Sequence, residues 1–366
     1  MLAYALRRFC LIIPTLLGIL TVNFFLIQMA PGGPVEQFIA RLEGGGDVFM
    51  ERAGAGAADA GIGGAQAGFA DQGYSGAQGL PEETLQVIRR MYGFDKPILV
   101  RYVDMLGDFL TFRLGDSLFR AGSVVDLIRE ALPVSITLGV WSTLIIYMVS
   151  IPLGIARAVR RGTVFDAVSG FAVVVAGAVP GFLFAVLLIV LFAGGSYFKI
   201  FPLRGLHSPD YELMSFWMQT LDYLHHITLP VIAMSIGGFA GLTLLTRNAF
   251  LDELSKQYVE TARAKGLTER AVLYGHVFRN AMLIIISGLP STFVRMFFAG
   301  SLLIETIFSL NGLGLLGFEA AMQRDYPVMF ASLYVFTLIG LFCSVLGDLS
   351  MMLIDPRIDF SDRSRT

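Results

Sequence analysis

Long apolar runs, each close to the length of a membrane span, recur along the chain between short polar loops. A helix needs about 20 apolar residues to cross the hydrocarbon core of a bilayer. Six segments meet or nearly meet that length, and none has the polar face that a surface helix of a soluble core keeps. The pattern predicts an all-α polytopic membrane protein with six transmembrane helices. The segments are residues 9–30, 134–155, 165–192, 227–245, 281–304 and 328–354.

The composition supports this fold class. Of the 366 residues, 55% are hydrophobic and 15% are charged, whereas a soluble domain usually carries about 25% charged residues. The net charge of -2 and the lack of a basic block argue against a nucleic-acid partner. The first apolar stretch continues to Ala30, which is too long for the core of a signal peptide, and we expect it to be retained as the first span.

Basic residues in the short loops predict the orientation, because cytoplasmic loops are enriched in Lys and Arg. Arg7 and Arg8 precede the first span, and further basic residues follow the second and fourth spans. The opposite short loops hold only Lys199, Arg204 and Arg324. We therefore expect both termini in the cytoplasm.

The predicted external loop, residues 31–131, has two parts. Residues 44–79 are rich in Gly and Ala and hold too few large apolar groups to fold alone, so we expect a flexible insert. From Pro81 onward, helical apolar spacing on both sides of a Gly–Phe–Asp–Lys–Pro turn predicts a small helical cap. The chain then divides into residues 1–30, this external loop, and a five-helix core at 132–366.

A short charged helix interrupts the apolar pattern within loop 247–280, between the fourth and fifth spans. Gly266 suits the left-handed C′ position that ends a helix, and Thr268 can cap the next helix. We expect a helix, a tight turn and a second helix, which would dock into a groove of a soluble partner. An ordinary solvated loop helix is the alternative. The narrow apolar stripe of this segment consists of Leu251, Leu254, Tyr258 and Ala262.

The sequence ETARAKGL within this loop resembles the coupling-loop signature of binding-protein-dependent ABC importer permeases, an E-A-A…G pattern. Glu260, Ala262 and Gly266 match the pattern. Thr261 stands where the first alanine is usual, which is a common departure to another small residue.

Other segments extend the resemblance from end to end, except across the Gly/Ala-rich insert. Residues 7–34 resemble the first span and exit turn of the dipeptide and oligopeptide permeases, residues 92–119 their outer loop, and residues 353–359 their C-terminal end. The insert, together with FPLRG at 201–205, resembles the Yej branch, whose importers take up peptides including the microcin C class.

The resemblance implies a type I ABC importer permease in the bacterial inner membrane, importing peptides from periplasm to cytoplasm. Its partners would be membrane lipid, a second homologous permease, ATP-binding subunits that are separate or fused, and a periplasmic peptide-binding protein. ATP and magnesium would bind to the ATP-binding subunit, which the coupling helix would contact. The implied coupling residues are Tyr258, Glu260, Ala262, Gly266 and Leu267.

The chain lacks the motifs of an enzyme. It contains no Gly-Lys dipeptide and therefore no phosphate-binding P-loop, and it has neither H-E-x-x-H nor G-x-S-x-G. GLGLLG at 312–317 fits G-x-G-x-x-G, but it follows a predicted span rather than a strand, so dinucleotide binding is not expected. We expect no catalytic residue and no metal site, and we expect the adjacent His225 and His226 to be solvated at the outer interface.

Arg295 lies near the middle of the fifth predicted span, where an uncompensated charge is costly. It could line the translocation pathway and attract a substrate carboxylate. The alternatives are a structural pair with an acid of the partner permease, or a side chain that reaches toward the outer surface.

Three other functions compete with peptide import. Nickel or another small solute is the nearest, because related permeases carry these, although scarce histidine argues against nickel. A secondary transporter should show buried acid or histidine relays or inverted repeats, and only Asp348 lies deep in a span. An intramembrane hydrolase lacks its motifs.

Overall fold

The computed structural model describes most of the chain. The predicted insert and part of the predicted cap lie outside the described residues. For residues 2–9, 26–29, 291, 295–298, 301 and 350–354 it describes only the backbone. The described residues are 2–29, 96–117, 119–120, 122–194, 197–298 and 301–354.

Helices make up the regular structure of the described residues, apart from one isolated bridge between Asp116 and Ser123. The all-α fold class is therefore confirmed. We label the helices α1 (Leu2–Met29), α2 (Ile98–Leu110), α3 (Val124–Val159), α4 (Val164–Ala178), α5 (Gly181–Phe192), α6 (Phe216–Leu254), α7 (Gln257–Ala264), α8 (Glu269–Val272), α9 (Phe278–Ser287), α10 (Leu289–Phe298), α11 (Ser301–Ile307), α12 (Leu313–Gln323) and α13 (Tyr326–Ile354). A 3₁₀ turn spans Tyr211–Leu213, and a π turn spans Leu273–Val277.

Three helices in the described part of the chain are long and apolar enough to cross a membrane, namely α3, α6 and α13. Helices α4 and α5 pass the same test together but are bent by 94°. The bend falls at Val179, which is extended (φ -79°, ψ 121°), because a residue before proline avoids the helical region. The third predicted span is thus broken ahead of Pro180.

The first and fifth predicted spans are less regular. The apolar part of α1 with described side chains covers only Cys10–Phe25. The fifth predicted span, 281–304, is divided among α9, α10 and α11. By length and composition, the described residues therefore hold three spans, or four if the bent pair is one. The count of six stays a prediction.

The chain divides into two compact units. One consists of residues 17–125 and 320–331, and the other holds residues 1–16, 126–319 and 332–366. In the former, the hydroxyl groups of Thr21 and Tyr102 lie 2.6 Å apart and join α1 to α2. Its external helical cap stays a prediction.

The larger unit has two hydrophobic clusters. The first gathers buried residues of α3, α5, α6 and α11, such as Leu138, Leu188 and Ile304. The second gathers buried residues of α3, α6, α7, the π turn and α9, such as Phe250 and Ile285. Helices α3 and α6 contribute to both clusters. The loop after α6 packs against them through the second cluster.

Helices α3 and α6 approach each other closely at Gly154. A Cβ atom added at Gly154 would lie 2.6 Å from the Cβ of Thr246, which is closer than real side chains come. The absent side chain therefore lets the two backbones pack in direct contact.

Candidate functional site

The predicted charged helix is present as α7 and is separate from α6. Helix α6 ends at Leu254, and Ser255 and Lys256 interrupt the helix before Gln257 begins α7. The four-residue apolar stripe predicted from the sequence is therefore divided between two helices.

The apolar face of α7 is turned toward the chain's own core. Val259 and Ala262, three positions apart, are buried in the second cluster with Phe250, Val277 and Ile285. This apolar face therefore packs α7 against the rest of the larger unit and cannot itself be a docking surface. Any partner must contact the polar faces instead.

Gly266 ends α7 in the way the sequence predicted. Its φ of +82° is left-handed, and its N–H donates to the carbonyl of Arg263 at 2.9 Å. The N–H of Leu267 donates to the carbonyl of Ala262 at 3.3 Å. This pair of bonds is the Schellman motif, which satisfies the last helical carbonyls and favours glycine at the C′ position.

The helix after the turn begins as expected and is tied back to α7. The N–H of Ala271 donates to Oγ1 of Thr268, the N-cap residue of α8, at 3.3 Å. Arg263 donates two hydrogen bonds to the Glu269 carboxylate, at 2.9 and 3.0 Å. This guanidinium holds the pKa of the Glu269 carboxyl below its usual range. Both side chains are exposed, so the pair is screened by solvent.

Tyr258 joins three elements and is half-buried. Its hydroxyl donates to Oε2 of Glu253 on α6 at 2.7 Å, while Lys256 donates to the other oxygen of the same carboxylate. Asn280 of α9 donates to the Tyr258 hydroxyl at 3.4 Å. Burial, and then the hydrogen bond to Glu253, raises the pKa of the Tyr258 phenol. Tyr258 therefore fixes the position of α7 in addition to any contact it makes outside the chain.

The five predicted coupling residues thus fall into two groups. Tyr258 and Ala262 face the interior, whereas Glu260, Gly266 and Leu267 are exposed. The sequence prediction missed Val259 and Glu253, because charged neighbours mask the three-residue spacing of the buried pair. It also missed Tyr274, an aromatic side chain of the π turn that is exposed in the same loop.

A second polar cluster, which the sequence prediction also missed, joins the ends of three helices. Asp166 of α4 accepts hydrogen bonds from Arg157 of α3 at 3.2 Å and from Arg247 of α6 at 2.9 and 2.6 Å. Asp166 and Arg157 are buried. The sequence showed the two arginines as basic residues after spans, but nothing in it paired them with Asp166, which lies 9 positions from Arg157 and 81 from Arg247.

Arg295 lies on α10, and its side chain is outside the described part of the structure. Its contact with substrate therefore stays a prediction.

The glycine-rich segment at 312–317, which forms the start of α12, is held by a buried carboxylate. Glu305 accepts hydrogen bonds from Ser135 Oγ at 3.1 Å and from the N–H of Leu315 at 2.7 Å, and Ser135 Oγ accepts one from the N–H of Leu313. A Cβ atom at Gly312 would lie 2.2 Å from this carboxylate. The glycine and the acid therefore cap α12 together, in a structural role.

The two adjacent histidines differ in environment. His225 is exposed, but His226 is buried, with Nδ1 at 2.8 Å from the carbonyl oxygen of Asp222, so the expectation of solvation is wrong for His226. Across the described residues, no group of three or more His, Cys, Asp or Glu side chains could hold a metal ion.

Comparison with known proteins identifies the family. Residues 150–360 match the family described as binding-protein-dependent transport system inner membrane component. The chain is 57% identical, over 99% of its own length and all of the relative's, to the inner membrane ABC transporter permease protein YejB of Escherichia coli O157:H7. It is 53% identical, over 99% of each chain, to the peptidoglycan transport system permease protein YejB of Agrobacterium fabrum.

More distant proteins match as well. The oligopeptide transport system permease protein AppB of Bacillus subtilis is 31% identical over 98% of this chain and all of the relative. Among solved structures, an inward-facing MetNI methionine ABC transporter matches with a TM-score of 0.49 and 14% identity, over 64% of this chain and 99% of that one. The resemblance seen in the sequence is confirmed by the family match and the full-length relatives. The chain belongs to the family of inner membrane components of binding-protein-dependent transport systems, and is an ABC transporter permease.

Proposed function

We propose that the chain is the permease subunit of an importer of peptides. Support comes from the relatives that match over nearly their full length, one of which is named for oligopeptide transport and another for peptidoglycan transport. The proposed substrates are oligopeptides, including peptides derived from peptidoglycan and peptides like microcin C. Nickel or another small solute is the alternative within the same family.

The proposed complex has several further subunits. A second homologous permease would complete the pathway, a periplasmic binding protein would deliver the peptide, and ATP-binding subunits would hold ATP and magnesium. Both termini and the loop of α7 and α8 would lie in the cytoplasm. Membership of the family supports the ATP-binding subunits and the binding protein.

The coupling role is carried by one observation: α7 is fastened to the core by its apolar face and presents its polar face to solvent. Val259 and Ala262 pack with Phe250 near the end of α6 and with Ile285 of α9. If a partner displaces the exposed Glu260 or Leu267, α7 would therefore move together with α6 and α9. ATP bound to another chain can shift the permease only through contacts that differ between its two conformations.

The ion cluster around Asp166 would spread this movement to further helices. Because Arg157, Asp166 and Arg247 tie together the ends of α3, α4 and α6, a displacement of α6 would be shared by all three. The coupling loop and these helix ends would then act as one rigid body, as expected for switching between inward-open and outward-open states.

The substrate class is tested by ATP hydrolysis in proteoliposomes that contain the permease, its partner permease and the ATP-binding subunits. Binding protein loaded with oligopeptide or with peptidoglycan-derived peptide should stimulate hydrolysis, and empty binding protein should stimulate it less. Stimulation by nickel and by none of the peptides would overturn the proposal.

The same vesicles test the proposed role of Arg295 in the pathway. Uptake should fall in Arg295→Gln and recover partly in Arg295→Lys, which keeps the positive charge. Undiminished uptake by a normally assembled Arg295→Gln complex would contradict that role.

A further inference from the structure

A patch of large apolar side chains is exposed at the end of α6 that lies farthest from α7. Leu213 is 88% exposed, Phe216 73% and Trp217 75%, and Leu221 lies one helical turn further on. Single exposed apolar residues are normal on any protein surface, but a contiguous group of this size indicates an interaction surface. Neither the coupling role nor peptide import uses these residues.

The position of the patch along α6 agrees with the dimensions of a bilayer. Trp217 and Arg247 lie about 45 Å apart along the axis, since an α-helix rises about 1.5 Å per residue. A bilayer with its headgroup regions is about 40–45 Å thick. If Arg247 lies at the headgroup level near the coupling loop, Trp217 reaches the headgroup level of the opposite leaflet.

The exposed face of α6 between these two residues is suited to lipid. Apart from two histidines, Asp222 is the only acidic or basic residue in the sequence between Trp217 and Arg247. Its carboxylate accepts hydrogen bonds from the N–H and Oγ of Ser208, at 2.8 and 2.6 Å, and faces His226 Nδ1 at 3.5 Å. The side chains of Asp222 and His226 are both largely buried. The charge is thus withdrawn from the surface.

The apolar exposure continues from the patch into the membrane-spanning part of α6. Leu221, Leu224 and Ile232 are exposed at intervals close to whole helical turns. Because Leu221 and Leu224 extend the patch toward the apolar middle of α6, we expect it to lie at the depth of the membrane rather than above it, which disfavours a soluble partner. Tryptophan and other aromatic residues are enriched at the membrane–water interface, because their rings are apolar and one edge is polar.

We propose that the patch around Trp217, formed with Leu213, Phe216 and Leu221, is a lipid anchor that inserts among the phospholipid headgroups and glycerol backbones of the leaflet opposite the coupling loop. The anchor sets the depth of α6, and with it the height of α7 above the other surface. This inference goes beyond peptide import and depends only on the chain lying in a membrane.

Trp217 can be observed selectively, because the chain has only two tryptophans, Trp141 and Trp217. Trp141→Phe leaves Trp217 as the only tryptophan. The full chain would be reconstituted in phosphatidylethanolamine–phosphatidylglycerol vesicles containing phosphatidylcholine brominated near the glycerol backbone or near the chain terminus. We expect the shallow bromines to quench Trp217 at least about twofold more than the deep ones, as for an interfacial ring, with little quenching by aqueous iodide.

The matched control is Trp217→Phe, which retains the half-buried Trp141 packed against the first hydrophobic cluster. The difference in fluorescence quenching between the wild-type chain and this control gives the quenching of Trp217. This measurement does not require Trp141→Phe to fold. Strong iodide quenching of Trp217 without lipid quenching would overturn the proposal in favour of a water-facing surface. Protection from iodide and from both lipids would overturn it in favour of a protein contact.

Discussion

Two sites in this permease use the same chemistry, an arginine that donates to a carboxylate, in opposite environments. At the first, Asp166 at the start of α4 pairs with Arg157 near the end of α3 and with Arg247 of α6, and the carboxylate is buried. At the second, Glu269 pairs with Arg263 across the turn between α7 and α8, and both side chains are exposed. The distances are similar, so burial is what separates the two sites.

The difference in burial indicates which of the two ion pairs holds helices together. Removing one partner of a buried pair leaves an uncompensated charge in the protein interior, whereas an exposed pair exchanges its partner for water at little cost. The Asp166 cluster should therefore hold helices together. The exposed pair leaves its charges available to another protein, as the proposed docking surface requires.

The largest effect is expected at the buried cluster. Asp166→Asn should destabilise the folded chain by about 3–5 kcal/mol, because it leaves two arginines without a counter-charge. Thermal unfolding of the detergent-solubilised chain, monitored by gel filtration, measures the change in stability. Asp252→Asn, at an exposed site near the end of α6, is the control and should unfold like the wild type. If Asp166→Asn were as stable as Asp252→Asn, burial would not make the Asp166 cluster more important for stability than an exposed charge.

An intermediate effect is expected at the turn of the exposed site. Gly266→Val places a side chain at a φ of +82° and should cost at least about 1–2 kcal/mol, since L-residues are strained there. Gly115 is a matched control, because its φ is +76° and, as at Gly266, a Cβ would meet no atom within 4 Å. Gly115→Val should lose similar stability yet keep peptide-stimulated ATP hydrolysis, whereas Gly266→Val should lose this stimulation. Wild-type stimulation in Gly266→Val would refute the coupling role.

The smallest effect is expected at the exposed pair itself. Arg263 lowers the pKa of Glu269, so the pair's contribution is present above the ordinary carboxyl pKa and disappears as the pH falls through the lowered value. Because solvent screens the pair, Glu269→Gln should unfold at nearly the wild-type temperature at neutral pH. Thermal unfolding across the acid range checks this. A large loss at neutral pH would mean that the pair is a structural tie like that at Asp166.

The sequence predicted the features of this fold that depend on local chemistry. Apolar runs gave the fold class, and the C′ role of Gly266 and the capping role of Thr268 follow from residue types that only a few backbone conformations favour. The structure bears out both ends of that turn.

The sequence did not predict features that depend on distant partners. Asp166 is one acid near the start of a predicted span until folding places Arg247 beside it, 81 positions along the chain. Glu305 likewise meets Ser135 from 170 positions away. The burial of the apolar face of α7 against the chain's own core was not predicted either, because a pattern shows which face is apolar and not what covers it.

The central claim is that the exposed face of the loop formed by α7 and α8 contacts the ATP-binding subunit. A photo-crosslinking amino acid at Leu267 tests it most directly in the assembled complex, with Leu213, which is also exposed and lies just before the opposite end of α6, as the control. We predict that Leu267 crosslinks to the ATP-binding subunit and that the yield changes when ATP is added, whereas Leu213 does not crosslink to that subunit. Absence of this crosslink from Leu267 in an active complex would contradict the account.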